Sequence, residues 1–362
     1  MSWVLDLVLG VHNWRHGVSS VVTSTKKTTS PLRLGILGAA AISPCAIFDP
    51  VSTHPDVVIS GIAARSKIKA EAQIKRYKLQ HARAYGSYED LLADPEIEAV
   101  YIPLPNGLHA EWTLKALRAG KHVLVEKPVA SNAEQVRELK RVSEETGKIV
   151  LEAFHWRFHP AAHLVKSLVD SGAYGAVQEV KARMAVPAGT MAKDDIRFQY
   201  ALAGGSCMDL LYVFSATSYF AAPSLRDAKV DVLSAVPRMN ARDGKIDDAM
   251  TADYTITSPS ANNGKPVRCH VETDLAVPWL WGIIPPLWEG TITVTIELEK
   301  AIIVFPNFRD PFVDRFRAVQ GGRSLREAEE MEGWPWVGLE ESEAVMAIAD
   351  QVYEKAGLGA RK

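Results

Sequence analysis

The side chain that stands out for chemistry is a lysine at the end of an apolar run. Lys127 closes the segment K-H-V-L-V-E-K and is followed by Pro128, which biases the lysine towards extended backbone. A strand ending there would project the amine from the carboxyl edge of a parallel sheet, where ligands of open α/β sheets bind. An amine in that position can exchange a proton with a reacting oxygen. The alternative is an ordinary exposed lysine at a strand end.

A second group of polar side chains follows the preceding apolar run. The loop P-L-P-N-G-L-H contains Asn106 and His109 and comes directly after a run that ends at Ile102. Parallel strands end at the same edge of their sheet, so we expect these two side chains to converge with Lys127. The sequence therefore predicts three polar groups around one ligand.

The first apolar run leads into a turn of small residues. Aligned on Gly38, a dinucleotide fingerprint would use Gly38, Ala40 and Ser43 in place of three glycines. Alanine and serine are small enough to let the backbone approach a pyrophosphate. Pro44 suits the first turn of a helix, whose free N–H groups attract phosphate. A small-residue turn in an α/β protein that binds no nucleotide would look the same.

The end of the second apolar run bears on which nicotinamide cofactor would bind. A site for NAD usually has Asp or Glu about 20 residues after the first glycine, to accept the ribose hydroxyls. Here the run ends I-A-A-R-S-K, and Arg65, Ser66 and Lys67 can hold a ribose 2′-phosphate by charge-assisted hydrogen bonds. This pattern favours NADP over NAD. The alternative is a solvated basic start to a helix.

The first half of the chain alternates short apolar runs with helical patterns. This alternation predicts an α/β domain with a doubly wound parallel sheet, because helices cover both faces of such a sheet. Ser131 and Glu134 have the spacing of a capping box, and Gly120 and Gly147 stand where helices should end. The predicted strands are Leu32–Leu37, Val57–Ala63, Glu98–Ile102, His122–Val125 and Ile149–Leu151, and the predicted helices are Lys67–Tyr77, Tyr88–Ala93, His109–Ala119 and Ala133–Thr146.

The second half has strands that follow one another with few helices between them, which predicts an α+β domain. We expect three parts: an extension and linker over 1–30, a dinucleotide-binding domain over 31–153, and a substrate domain over 154–362. The predicted strands of the second half are Val177–Val186, Val230–Val236, Met250–Ile256, Val267–Leu275 and Thr291–Phe305, and its predicted helices are Ala161–Asp170 and Ser342–Ala356.

Composition excludes several classes of protein. The 41 basic and 43 acidic residues give a net charge of -2, without the basic surplus of a nucleic-acid binder. No apolar run reaches the roughly 18 residues of a membrane span, and Asp6 interrupts the start of the chain, so we expect no secretory signal. The odd and dispersed cysteines predict reduced thiols and a cytoplasmic protein. His155, His159 and His163 recur every four residues, but Pro160 disfavours a helix there, so we expect no metal site.

Four segments together resemble one known family. They are the Gly38 turn, the loop P-L-P-N-G-L-H, the tripeptide Glu126-Lys127-Pro128 and the segment E-A-F-H-W-R-F-H-P. The resemblance is to the glucose-fructose oxidoreductase, inositol dehydrogenase and rhizopine catabolism (Gfo/Idh/MocA) family, and within it to fungal members related to NADP-dependent D-xylose dehydrogenases and dimeric dihydrodiol dehydrogenases. It covers about residues 31–310 and 334–358. It implies a Rossmann domain, then a domain whose open, mainly antiparallel sheet often forms a homodimer interface.

The resemblance also implies roles for individual residues. Lys127 would be the catalytic acid/base, Glu126 would help to place it, and Asn106 and His109 would line the ribose of the nicotinamide. The residues that would bind the cofactor are Gly38, Ala40, Ala41, Ile42, Arg65, Ser66, Lys67, Pro103, Asn106, His109, Glu126 and Lys127.

Two further residues would act beside the lysine by the same resemblance. Asp209 and Tyr212 follow a glycine-rich turn and are three apart, a spacing that places them on one helical face. The family pattern has one more residue and a glycine between them, so packing of Tyr212 in the core is the alternative. The predicted substrate-binding residues are Arg157, Phe158, Arg197, Asp209 and Tyr212. For the two arginines the alternative is a salt bridge to Asp194, Asp195 or Glu152.

The sequence thus predicts an NADP-dependent enzyme that removes hydride from a hydroxyl of a D-xylose-like aldose or a diol. One alternative is a family member that reduces, or rearranges without net redox change, a bulkier carbonyl compound in secondary metabolism. The apolar stretch Trp279–Trp288 would suit that pocket. Another is a catalytically silent NADP-binding regulator, favoured by the altered fingerprint and the short segment between Arg317 and Trp334.

Overall fold

The computed structural model describes residues 26–260, 262–279, 281, 292–306, 308 and 337–362. Most of the predicted extension, most of Trp279–Trp288 and the whole of Arg317–Trp334 lie outside these ranges. The chain divides into two compact units. One runs to Glu126 and includes Glu138–Leu151, and the other comprises Lys127–Arg137 and Glu152–Lys362.

A six-stranded parallel sheet forms the centre of the first unit, in the order β3-β2-β1-β4-β5-β6. Its strands are β1 (Leu32–Leu37), β2 (Val57–Ala63), β3 (Arg83–Tyr85), β4 (Ala99–Ile102), β5 (His122–Val125) and β6 (Val150–Glu152). Its helices are α1 (Asp49–Thr53), which follows a π-helical turn over Pro44–Phe48, α2 (Lys67–Tyr77), α3 (Tyr88–Ala93), α4 (His109–Arg118) and α5 (Ala133–Thr146). This confirms the predicted doubly wound α/β fold.

The strand order explains where a ligand would bind on this sheet. The strands are apolar and buried because helices cover both faces, as Ile36 and Ile62 show with 0% exposure. The chain reverses its direction across the sheet between β1 and β4. The crevice at such a switch point is the usual ligand site of an open parallel sheet. Here the strands that flank it end at Leu37 and Ile102, directly before Gly38 and Pro103.

The predicted capping box of α5 is displaced by one residue. Asn132 Oδ1, not the Ser131 hydroxyl, accepts a hydrogen bond from the backbone N–H of Gln135. The Gln135 side chain in turn accepts from the N–H of Ser131. Asparagine caps a helix as well as serine does, so the choice was decided by where the helix begins, at Ala133.

The second unit contains a six-stranded sheet in the order β12-β11-β7-β10-β9-β8. All its pairings are antiparallel except that of β7 with β10, which confirms a mainly antiparallel sheet. Its strands are β7 (Val177–Pro187), β8 (Lys229–Met239), β9 (Asp247–Thr257), β10 (Val267–Val277), β11 (Ile292–Leu298) and β12 (Ile302–Pro306). The prediction of one strand over Thr291–Phe305 was wrong, because a turn at Glu299–Ala301 divides it into a hairpin.

The helices of this unit are α6 (Pro160–Asp170), α7 (Ser206–Asp209), α8 (Tyr212–Ala221) and α9 (Leu339–Lys355). Helix α8 is buried over almost its full length and packs on β7, β10 and β11. No helix within the described ranges combines the length and apolarity that a membrane crossing requires. Nor do the described residues include three or more His, Cys, Asp or Glu side chains grouped to hold a metal ion.

Candidate functional site

The turn after β1 has the backbone that a dinucleotide fingerprint requires. Gly38 has φ of +123° and donates its N–H to Ala63 O at 2.8 Å. A Cβ added there would lie 3.0 Å from the Leu104 side chain, so only glycine fits without strain. Ala41 and Ile42 are exposed beyond it, and the chain then enters the helical turn at Pro44. The exposed small-residue turn before a helix fits a pyrophosphate.

The basic residues after β2 also fit a phosphate. Ser66 is the N-cap of α2, but its hydroxyl makes no capping hydrogen bond and is left for another partner. Arg65 and Lys67 are exposed on either side of it. Within the described part of the chain, no carboxylate pairs with either cation. These three residues therefore present two charges and a hydroxyl of the kind that a ribose 2′-phosphate needs.

The loop after β4 is more enclosed than the sequence suggested. Pro103 is buried, and Asn106 begins a half-buried 3-10 turn. His109 is fully buried, and its Nε2 lies 2.6 Å from Leu104 O, so this ring links α4 to the loop. A contact of His109 with the nicotinamide ribose stays a prediction. Glu126, at the end of β5, accepts a hydrogen bond from the Tyr101 hydroxyl at 2.5 Å.

In the second unit the amine of Lys127 is bound to Asp209. Its Nζ lies 2.6 Å from the Asp209 backbone oxygen and 3.1 Å from Oδ1. The other carboxylate oxygen, Oδ2, accepts a hydrogen bond from Arg197 Nε at 2.9 Å. Arg197 also donates to Asp195 Oδ1 from NH1 at 2.9 Å. Two cations and two carboxylates thus alternate in one cluster, which we call the lysine cluster.

Charge balance keeps Asp209 ionised. Burial works against the charge, but Lys127 and Arg197 more than offset it and hold the pKa of Asp209 below its ordinary value. The lysine and aspartate side chains retain 14% and 11% exposure, so the amine is enclosed but not fully buried. Arg197 thus pairs with Asp195, the salt-bridge partner predicted as the alternative, and with Asp209 at the same time.

Tyr212 meets the same amine, but not in the way that we expected. Asp209 ends α7 and Tyr212 begins α8, and Leu210 has a non-helical backbone between them, so one helical face does not carry both. Lys127 Nζ nevertheless lies 5.1 Å from the centre of the Tyr212 ring. The Tyr212 hydroxyl is 3.5 Å from His155 Nδ1. The ring is also buried, so Tyr212 both packs in the core and lies beside the amine.

Arg157 has partners other than those of the lysine cluster. It is 3% exposed, its guanidinium pairs with Glu341, and it stacks over the Tyr219 ring at 3.9 Å. The salt bridge predicted as the alternative role of Arg157 is present, but its partner is Glu341, which was not among the predicted partners. Phe158 is half-buried at the end of the same 3-10 turn. Contacts of these two residues with substrate stay predictions.

Sequence reasoning missed the place of Glu152. Its carboxylate is buried and accepts hydrogen bonds from the Val129 N–H at 2.9 Å and the Ser342 hydroxyl at 2.5 Å. Burial raises the pKa of Glu152 to about 7, partly opposed by these two donors, and Glu341 raises it further. Val129 is two residues from Lys127, so Glu152 holds the backbone beside the amine. The available signal was a glutamate inside the apolar run V-L-E-A-F.

Comparison with known proteins finds related oxidoreductases. An oxidoreductase family model described as an NAD-binding Rossmann fold matches residues 32–154. D-xylose 1-dehydrogenase (NADP(+)) 2 of Haloferax volcanii is 32% identical over 347 residues, which cover 91% of this chain and 98% of that protein. A dTDP-3,4-didehydro-2,6-dideoxy-alpha-D-glucose 3-reductase of Streptomyces violaceoruber is 36% identical over 184 residues, 51% of this chain and 52% of that protein.

A solved structure supports the fold along nearly the whole chain. A 3-ketoreductase from Actinomadura kijaniata, in complex with NADP and TDP-benzene, matches with a TM-score of 0.64 at 24% identity. The match covers 90% of this chain and 98% of that one. With the Rossmann-type sheet, the lysine cluster and the near full-length relative, the chain belongs to the Gfo/Idh/MocA family of NAD(P)-dependent oxidoreductases.

Proposed function

We propose that this protein is an NADP-dependent dehydrogenase that oxidises a hydroxyl of a D-xylose-like aldose or of a diol, with Lys127 as acid/base. The observation that carries the proposal is the amine of Lys127, held at 3.1 Å by the Asp209 carboxylate and still partly exposed. An enclosed amine with a fixed counter-ion can exchange a proton with a substrate oxygen in one orientation.

The chemistry of the step follows from these side chains. The nicotinamide of NADP supplies the acceptor for the hydride that leaves the substrate carbon. In oxidation the neutral Lys127 amine takes the proton of the hydroxyl, and Asp209 stabilises the ammonium that results. In the reverse direction the ammonium returns the proton to a carbonyl oxygen. Arg197 keeps Asp209 oriented towards the amine and can itself donate to a second substrate hydroxyl.

NADP rather than NAD is supported by the residues that follow β2. Arg65 and Lys67 are exposed cations without carboxylate partners in the described chain, on either side of the Ser66 hydroxyl. We expect Arg65→Ala to weaken NADP binding about tenfold and to leave NAD binding unchanged, because only NADP carries the 2′-phosphate. Fluorescence titration with both cofactors measures this. Lys69→Ala, an exposed cation on the same helix, is the matched control and should change neither Kd.

The substrate class is supported by the relative from Haloferax volcanii, a D-xylose 1-dehydrogenase (NADP(+)) 2 whose similarity spans almost the whole chain. A panel of aldoses, polyols and vicinal diols, followed by NADPH absorbance, tests the proposal. We expect turnover on at least one aldose or diol. Lys127→Ala should abolish that turnover while NADP still binds, and Lys229→Ala, an exposed lysine of the same unit, should leave both unchanged.

A second candidate is reduction of a carbonyl compound, including one in secondary metabolism. The favouring observation is that Lys127 is ion-paired as an ammonium, the form that donates a proton to a carbonyl oxygen. The partial match to the nucleotide-sugar 3-reductase of Streptomyces violaceoruber points to the same reaction class. Oxidation of NADPH by keto-sugars, with no turnover of any aldose or diol, would select this candidate. Tight NADP binding with no turnover in either direction would contradict both.

A homodimer is the assembly that we propose. The outer face of the antiparallel sheet carries paired charges, with Lys181 bound to Glu297 at 2.7 Å and Arg183 to Glu272 at 3.2 Å. In a two-fold homodimer this face of each copy would lie against the same face of the other. Light scattering after size exclusion, at low and high salt, tests this assembly. The free thiols Cys207 and Cys269, both buried, support a reducing compartment such as the cytoplasm.

A further inference from the structure

A buried carboxylate stands behind the helix that carries Asp209. Asp247, the first residue of β9, is 0% exposed. Its Oδ2 accepts hydrogen bonds from the Ser206 hydroxyl at 2.7 Å and from the Cys207 N–H at 3.0 Å. These two donors open α7, the four-residue helix that ends at Asp209. The short helix is therefore bound to Asp247 at its start and to Lys127 at its end.

The other oxygen of the same carboxylate is also fully engaged. Asp247 Oδ1 accepts from the Tyr353 hydroxyl at 2.9 Å and from Arg361 NH2 at 2.5 Å. Arg361 is 1% exposed, and its NH1 donates to Lys245 O at 2.7 Å. Burial and the Asp247 charge raise the pKa of Tyr353, so its hydroxyl stays a donor. A guanidinium this deeply buried is stable only beside a fixed anion.

The turn before α7 is shaped to fit this carboxylate. Gly205 has φ of +129°, and a Cβ added there would lie 2.2 Å from Asp247 Oδ1 and 2.8 Å from the Tyr353 hydroxyl. The N–H of Gly205 donates to Arg197 O at 2.9 Å. The same turn thus contacts the buried carboxylate through its Cα and the backbone of the lysine cluster through its N–H.

We propose that Asp247 and Arg361 are positioning residues for the reaction, whose ion pair fixes α7 so that Asp209 holds the Lys127 amine. The proposal rests on the proposed role of Lys127. Four donors meet the two oxygens of Asp247, and a short path runs from Arg361 through Asp247 and α7 to Asp209. A displacement of about 1 Å in a catalytic group can cost about a hundredfold in rate, so a small shift of α7 matters.

The principal test is Asp247→Asn, which keeps the shape of the side chain and removes its charge. We expect kcat to fall about tenfold to a hundredfold while the Kd for NADP stays within about twofold. A readout that needs no turnover is the rate at which acetic anhydride acetylates Lys127, measured by peptide mass spectrometry against the exposed Lys229. Release of the amine from Asp209 should raise that rate at least about threefold, with Lys229 unchanged, because a nearby carboxylate favours the ammonium and only the neutral amine reacts.

Three further variants and one control measure how far the effect depends on each contact of Asp247. Arg361→Lys keeps a cation beside Asp247 and should recover most of the kcat that Arg361→Gln loses. Ser206→Ala removes one of the donors to Asp247 and should show the same changes on a smaller scale, which keeps the proposal testable if Asp247→Asn does not fold. Thr217→Val is the matched control. It removes a buried hydrogen bond of 2.5 Å to Tyr254 in the same unit and should move neither kcat nor Lys127 acetylation.

The outcomes separate the positioning role from simple stabilisation and from the proposed function. Faster Lys127 acetylation and lower kcat in Asp247→Asn or Ser206→Ala, with Thr217→Val unchanged, support the proposal. If Asp247→Asn and Ser206→Ala have the same kcat and the same Lys127 acetylation rate as Thr217→Val, the proposal is overturned. If the wild-type protein turns over no substrate, the proposed function fails, but the acetylation rates still decide whether Asp247 positions Asp209 on Lys127.

Discussion

Two buried carboxylates in the second unit, Asp209 and Glu152, are stabilised in opposite ways. Asp209 lies between two cations, Lys127 and Arg197, and its pKa is lowered in spite of burial. Glu152 has only neutral hydrogen-bond donors on its oxygens, from Val129 and Ser342, and burial raises its pKa to about 7. The partner, rather than the depth of burial, decides whether a buried acid carries its charge.

The two carboxylates therefore respond differently to pH. Asp209 stays ionised over the whole working range of pH and can hold an ammonium at all times. Glu152 changes its charge near neutrality, and it does so at the backbone two residues from the same lysine. Near neutrality Asp209 therefore keeps its charge, whereas the charge of Glu152 depends on pH.

The largest expected effect comes from removing the charge of Asp209. Asp209→Asn leaves the Lys127 amine without its counter-ion, and we expect kcat to fall about a thousandfold, close to 4 kcal/mol of transition-state stabilisation. Steady-state kinetics on the best substrate measure this, with NADP affinity by fluorescence. Asp195→Asn is the matched control, because Asp195 contacts Arg197 but not the amine, and it should cost only a few-fold. Equal losses in both variants would remove the distinction between them.

The next effect tests the Glu152 side of the comparison. Its pKa of about 7 exceeds the ordinary 4.5, so the folded protein keeps this proton where the unfolded chain has lost it. The stabilisation that results is complete below pH 4.5 and is lost as pH rises through about 7. Glu152→Gln, which resembles the protonated acid, should gain up to about 3 kcal/mol over the wild type between pH 5 and 8. Urea unfolding of Glu152→Gln and the wild type at pH 5 and at pH 8 measures the difference in their free energies of unfolding. The same difference at both pH values would contradict the prediction.

A smaller effect comes from weakening the cation that Asp209 shares. Arg197→Lys keeps the charge but cannot reach Asp195 and Asp209 together, because an ammonium lacks the fork of the guanidinium. We expect about a tenfold fall in kcat/KM, roughly 1.4 kcal/mol, with unchanged NADP affinity. Kinetics of Arg183→Lys, an exposed arginine in the same unit, provide the control. A loss as large as that of Asp209→Asn would mean that Asp209 cannot hold the amine without Arg197.

The smallest effect concerns a third carboxylate with a shifted pKa, Asp350. Asp350 accepts a hydrogen bond from the Ala133 N–H at 2.8 Å, and burial raises its pKa to about 6. Because it is partly exposed, solvent screening limits the expected change to about 1 kcal/mol. Asp350→Asn should therefore gain stability over the wild type only as pH rises from about 4 to 6, an interval that begins and ends lower than that of Glu152. Unfolding curves at pH 4, 6 and 8 measure it, and a gain that kept growing from pH 6 to 8 would contradict the assignment to Asp350.

The local patterns of the sequence predicted much of the fold. Apolar runs and helical spacing located β1, β2 and α2 to the residue, since burial on both faces leaves a strong signature. The predictions were wrong at the ends of helices, where the backbone of a single residue decides the boundary. The capping residue of α5 is Asn132 and not Ser131, and α7 ends at Asp209 instead of continuing to Tyr212. A short pattern does not encode such endpoints.

The candidate site was predictable only in part. Lys127 stood out because a lysine before a proline closes an apolar strand, and Asp209 followed from the family resemblance. The partners of Glu152, Arg157 and Asp247 lie 23 to 190 residues away along the chain, and no local spacing connects them. Buried polar contacts of this kind are set by the tertiary fold, so they appear only when the elements are assembled.

The most direct test of the account is chemical rescue of Lys127→Ala. If the amine is the acid/base, hydride transfer measured in single turnovers should fall by at least about a thousandfold and be partly restored by millimolar methylamine, with a rate that varies with the basicity of the added amine. NADP affinity should not change. A variant that transfers hydride within about threefold of the wild-type rate, or that no amine rescues while NADP remains bound, would contradict the assignment of proton transfer to Lys127.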